Sequence, residues 1–141
     1  MTQKSILIVD DSEPMRRMLR ACLSDLAAEI NECGAGAEVL SAYATQRPDW
    51  VVMEVAVREI DGLIVLRRLL AEWPAARVVI VTNYDDEALR EEALRAGACD
   101  YILKENLLEV RRLLAATHPG TTKGDCPTGQ SMSKSTQTDL R

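Results

Sequence analysis

Short apolar runs alternate with amphipathic stretches from residue 1 to about residue 118. Ile6-Leu7-Ile8-Val9, Trp50-Val51-Val52-Met53 and Val78-Val79-Ile80-Val81 are continuous apolar runs. That is the pattern of strands covered on both faces. Residues 99–103 form a fourth such run, and residues 29–33 a weaker fifth. Helical patterns fill the gaps. Ser12 is placed as an N-cap with Pro14 in the first turn, and Met15, Met18, Cys22 and Leu26 follow at helical spacing. Residues 37–45 read as a short helix, and Leu63, Leu66 and Leu70 make a third stripe. Residues 85–96 form a fourth helix ended by Gly97 at a C′ position. A fifth begins at Asn106, with Glu109 as its capping-box partner and Leu107, Val110 and Leu114 on one face.

Strands alternating with helices force parallel neighbours joined by right-handed crossovers. The expected fold is therefore α/β, a doubly wound five-stranded parallel sheet. After Pro119 the sequence turns to Gly, Ser and Thr with almost nothing large to bury. Residues 1–118 are read as one domain and 119–141 as a disordered tail.

Composition narrows the function. The chain has 141 residues and a formal net charge of -5, against a general nucleic-acid binder or a polybasic membrane surface. The single His118 excludes any site needing two histidines. Cys22, Cys33, Cys99 and Cys126 contain no C-x-x-C pair, so neither a zinc ribbon nor a thioredoxin motif is present. The apolar run at the start is too short for a signal peptide, and no stretch approaches a membrane span. The expectation is a reduced, soluble, cytoplasmic protein.

Doubly wound sheets place function at the carboxyl ends of their strands. Asp10 and Asp11 follow the first strand, Glu54 the third, Thr82 the fourth and Lys104 the fifth. Three acids, a hydroxyl and an amine converge on one edge. Clustered carboxylates attract a hard divalent cation such as Mg²⁺. A phosphoryl group could then be hydrogen-bonded by Thr82 and neutralised by Lys104. Gly34-Ala35-Gly36 hints at a dinucleotide motif, but Val39 stands where a third glycine belongs and no P-loop exists.

The motifs ILIVDDSEPMRRMLR, PDWVVMEVAVREIDG, VVIVTNYDD and AGACDYILK together resemble the receiver domain of bacterial two-component response regulators over about residues 5–117. The resemblance implies a flavodoxin-like (βα)5 fold with strand order 2-1-3-4-5. It implies that Asp10 and Asp11 help hold Mg²⁺ and that Thr82 is a switch residue bonding the phosphoryl group. It makes Lys104 the partner of that group, and Tyr101 an aromatic that rotates with activation.

One departure decides the reading. The family's phosphoacceptor is an Asp at the end of the third strand, where this chain has Glu54. The extra methylene, roughly 1.5 Å, pushes the carboxylate into the phosphoryl and metal volume. In-line transfer loses on the order of a hundredfold for a 1 Å misplacement. Glu54 stands at the third metal-ligand position, and with its longer arm Mg²⁺ binding is expected to be weakened or lost. Val57-Arg58 replaces the usual Met-Pro, and Glu105 replaces a frequent Pro; Arg58 is expected to pair with a pocket acid.

The expected function is an atypical stand-alone receiver, not an enzyme, that works through protein–protein interaction. Its partners would be a histidine kinase or another signalling protein. The contact surface would be the face of the fourth helix, fifth strand and fifth helix, with a homodimer through that face as a further option. The alternative is a working receiver that takes phosphoryl from a histidine kinase and slowly hydrolyses it.

Overall fold

The computed structural model describes residues 4–57 and 60–116. Arg58, His118, Cys126 and the expected tail lie outside the described residues. The strands are β1 (Lys4–Val9), β2 (Ala27–Cys33), β3 (Trp50–Met53), β4 (Val78–Thr82) and β5 (Asp100–Leu103). The helices are α1 (Glu13–Leu23), α2 (Val39–Gln46), α3 (Gly62–Glu72), α4 (Glu87–Ala96) and α5 (Leu107–Ala116). The strands pair in parallel in the order β2-β1-β3-β4-β5, as expected. A two-residue antiparallel ladder, Ala56–Val57 with Ile60–Asp61, joins β3 to α3.

The apolar runs sit where their lack of alternation predicts, between two helical layers. Ile6, Ile8, Trp50, Val52, Val79 and Val81 face α1 and α5. Their neighbours Leu7, Val9, Val51, Met53, Val78 and Ile80 face α2, α3 and α4. Every one of these side chains is buried. At about 1.5–3 kcal/mol for each fully buried aliphatic side chain, this two-sided burial is the main force holding the sheet between its helical layers.

Local signals set most element ends. Ser12 Oγ accepts from Met15 N at 3.2 Å, with Pro14 in the first turn of α1. Asp86 caps α4 by accepting from Ala88 N and Leu89 N. Gly97 takes the left-handed conformation, φ 115°, that ends α4. Two expectations need correction. In α1 the fully buried positions are Leu19 and Leu23, whereas Met18 is 55% exposed. Met15, Cys22 and Leu26 of the expected stripe do pack against this side of the sheet beside Leu19 and Leu23, so Met18 alone departs from it. The capping box at Asn106 is not formed as expected. Asn106 belongs to a one-turn 3-10 segment, Lys104–Asn106, and Glu109 pairs forward with Arg112.

Candidate functional site

β1 and β3 are neighbours at the centre of the sheet, and their ladders run one residue past each strand. Asp10 N donates to Cys33 O at 3.1 Å and Glu54 N to Val9 O at 3.0 Å. This fixes two acids side by side at the carboxyl edge. Both are buried, Asp10 at 2% exposure and Glu54 at 5%. Lys104, just after the edge strand β5, reaches inward over the edge. Its Nζ lies 3.0 Å from Asp10 Oδ2 and 2.8 Å from Glu54 Oε1. The remaining carboxylate oxygens are also engaged. Asp10 Oδ1 accepts from Ser12 N at 2.9 Å, and Glu54 Oε2 accepts from Ala56 N at 3.1 Å.

One ammonium therefore bridges two buried carboxylates. Burial acts on the Lys104 amine most strongly and pulls its pKa down. The hydrogen bonds and charges of Glu54 and Asp10 together outweigh it and hold the amine above its ordinary 10.5.

The structure brings together Asp10, Glu54 and Lys104; Asp11 is exposed and takes no part in these ion pairs. Thr82 is fully buried at the end of β4, and its Oγ1 accepts from Tyr84 N at 3.3 Å. Tyr101 lies inside the protein at 5% exposure, and its hydroxyl donates to Tyr84 O at 2.5 Å. The main chain of Tyr84 thus joins the hydroxyls of Thr82 and Tyr101. Arg90 ties down Tyr101 through the main chain, its Nη1 donating to the Tyr101 carbonyl oxygen at 2.9 Å. Burial raises the Tyr101 phenol pKa, and the charges of Asp86, Glu54 and Asp85 add to the rise.

Three contributors were not legible in the sequence. Arg16 Nη1 donates to the main-chain oxygen of Asp10 at 2.6 Å while its Nε pairs with Glu32 at 2.9 Å. No residue spacing announces that contact, because it depends on the path of the loop. Tyr84 acts through its main chain, which sequence cannot reveal. Gly62 closes the motif PDWVVMEVAVREIDG. It proves to be a point of close approach, since a Cβ there would lie 2.6 Å from both Glu54 O and Val55 O. Gly62→Ala must push back the backbone carrying Glu54. The expected loss is about 1–3 kcal/mol, the usual range for overpacking, read as a lower urea midpoint at unchanged slope.

A hard cation needs several free oxygens at short range. Here each carboxylate oxygen of Asp10 and Glu54 already has a partner, and the Asp10 carbonyl is taken by Arg16. Among the described residues no group of three or more His, Cys, Asp or Glu side chains is arranged to hold a metal ion. The donor set as arranged does not fit Mg²⁺.

Comparison with known proteins agrees with the fold. A protein called response regulator MprA from Mycolicibacterium vanbaalenii is 35% identical over 125 residues, covering 85% of this chain and 54% of that relative. An equally named protein from a Mycobacterium strain, KMS, is 36% identical over 119 residues, covering 81% of this chain and 52% of its own length. The chain thus spans about half the length of the curated relatives it matches. Among solved structures, a two-component response regulator of the LuxR family from Aurantimonas superposes with a TM-score of 0.75 at 25% identity, covering 82% of this chain and 84% of that one. The Borrelia burgdorferi CheX-CheY-BeF3-Mg complex gives 0.73 at 23% identity, covering 82% and 90%, a likeness of fold. Residues 6–117 match the response regulator receiver domain as a family, and with the sheet order and the MprA identities in agreement, the chain belongs to that family.

Proposed function

We propose that this chain is an atypical receiver of two-component signalling that acts through protein–protein contacts without ordinary Asp phosphorylation. The observation that carries the reading is the 2.8 Å bond between Lys104 Nζ and Glu54 Oε1. In the family it resembles, that lysine pairs with the phosphoryl group. Here a side chain of the protein already supplies the anion. Glu54 imitates phosphoaspartate in part, with one negative charge and two oxygens against nearly two charges and three oxygens. A bias of about 1.4 kcal/mol suffices to change a two-state ratio tenfold. The inward Tyr101, tied through Tyr84 to Thr82, supports a preset state.

Signal then leaves through a surface. Between α4, β5 and α5 lies a cleft of about 400 Å³, lined by Asp85, Asp86, Glu87, Asp100 and Glu109 against Arg90. A two-fold pairing of this face with itself would oppose acids to acids, so a cationic signalling partner suits it better than a second copy.

The test is intact mass after incubation with Mg²⁺ and a small acyl phosphate. The native chain is expected to keep its mass, and Glu54→Asp run beside it to gain one phosphoryl group. Phosphorylation of the native chain would overturn the reading, and mapping the modified residue would then identify the acceptor.

A further inference from the structure

We propose that the amino edge of the sheet, at the opposite end from Asp10, Glu54 and Lys104, carries an oxyanion site in which Arg77 binds a phosphate group. The proposal does not depend on the reading of Glu54.

Among the described residues, three buried side-chain polar atoms have no hydrogen-bond partner: Arg77 Nε, Arg77 Nη2 and Gln46 Oε1. Arg77 stands one residue before β4, where its carbonyl accepts from Val51 N at 2.8 Å. The residue is only 7% exposed, so an always-charged guanidinium lies inside the protein with two donors unused. Burying such a group without a counter-charge is costly, and folded proteins pair it. Asp49, an acid of the same edge, spends its Oδ2 on Ser5 N at 2.8 Å and on Ser5 Oγ at 3.3 Å.

The unused atoms describe the ligand. Nε–H and Nη2–H form one side of the guanidinium fork, the side that meets two oxygens of a carboxylate or phosphate. Gln46 Oε1, in the last turn of α2, is an acceptor without a donor. A carboxylate brings no donor of its own, whereas a singly protonated phosphate brings an O–H beside its oxygens. Tyr43, one turn earlier, adds a hydroxyl. Burial raises its pKa most strongly, Arg47 and Arg77 pull it back, and Asp49 adds to the rise. Both arginines thus act on one point at the end of α2.

That end of α2 is also the strained part of the edge. Arg47 caps the helix in the left-handed conformation, φ 44° and ψ 59°, as no other non-glycine residue does among the described residues. Pro48 follows it, and a residue before proline favours extended backbone. Strain of this kind is found at ligand clamps and switch regions. The exposed Arg47 guanidinium lies 5.3 Å from the centroid of the Trp73 ring, which packs 4.8 Å from the ring of Tyr43. Opening of this turn uncovers Arg77 and brings a second cation to the phosphate.

The test titrates inorganic phosphate into the native chain in chloride buffer at constant ionic strength. The readout is the Arg77 Nε–H resonance in ¹H–¹⁵N NMR, identified by its loss in Arg77→Lys. A saturable shift is expected with phosphate and a clearly weaker one with acetate. Followed on the remaining amides, Arg77→Lys is expected to bind phosphate about tenfold more weakly, because an ammonium cannot present the fork. Arg77→Met is expected to melt no lower than native in chloride, since the charge removed has no partner, and to lose the rise in melting temperature that phosphate gives the native chain. An Arg77 resonance that ignores phosphate overturns the proposal. So does a phosphate-induced rise that persists in Arg77→Met, which would place the anion elsewhere. Acetate acting as strongly as phosphate overturns the assignment to phosphate. An Arg77→Met chain that fails to fold also overturns it, because Arg77 would then have a structural partner.

Discussion

Lys104→Met in metal-free buffer is expected to lower the unfolding free energy by about 3–5 kcal/mol near neutral pH, the usual cost of removing one partner from a buried ion pair. Methionine keeps most of the stem's volume, so the loss reports charge and not a cavity. What remains is a pair of carboxylates, 2% and 5% exposed, with no cation between them. Lowering the pH to protonate one of them returns part of the loss. Glu54→Ala provides the contrast. It leaves Lys104 bonded to Asp10 at 3.0 Å and brings the cluster to formal neutrality, so its cost is expected to be clearly smaller. Urea melts of the three chains at neutral and acidic pH check both statements. Equal losses for the two variants would contradict the ion-cluster account.

Trp50→Ala is expected to cost about 3–5 kcal/mol, the range for deleting a buried Trp. Trp50 is fully buried and opens β3, opposite Ile6 of β1. It packs in the cluster that joins the sheet to α1 and α5, with Ile8, Leu19, Leu23 and Val79 among the members. β3 has only four residues, so a cavity at its start loosens the strand that ends at Glu54. Thermal melting followed by far-ultraviolet circular dichroism reads the loss without relying on the deleted indole. A change near that of an exposed substitution would contradict the packing described.

How much of this was legible in the sequence depends on the kind of signal. The three uninterrupted apolar runs have the pattern of strands buried on both faces, and they do pair side by side as β1, β3 and β4. One member of the α1 stripe was misassigned because Met18 and Leu19 are both apolar and only packing decides between them; Met15, Cys22 and Leu26 pack as expected, while Met18 ends 55% exposed. The α5 cap was misjudged because Lys104–Asn106 first makes a 3-10 turn. At the site, strand ends placed Asp10, Glu54, Thr82 and Lys104 on one edge, since parallel strands share that edge. Asp11 looked equivalent to Asp10, but only Asp10 continues the ladder to Cys33 O and is carried inward. Arg16 and the Tyr84 main chain stayed invisible because their roles arise from loop paths. No helix among the described residues is long and apolar enough to cross a membrane, in line with the absence of a long apolar run.

The central claim is that Lys104 is held as a cation by Asp10 and Glu54 together. The most direct measurement is the titration of its amine by NMR on chain labelled at the lysine ε-carbon. The amine is expected to titrate above its ordinary 10.5 in the native chain and to move down in Glu54→Gln. A raised amine pKa stabilises the fold fully below that ordinary value, and the contribution is lost as pH rises through the folded pKa. The native chain should therefore lose stability on the alkaline side over the same interval in which the amine titrates. A Lys104 amine that titrates at or below 10.5, or that ignores Glu54→Gln, would contradict the account.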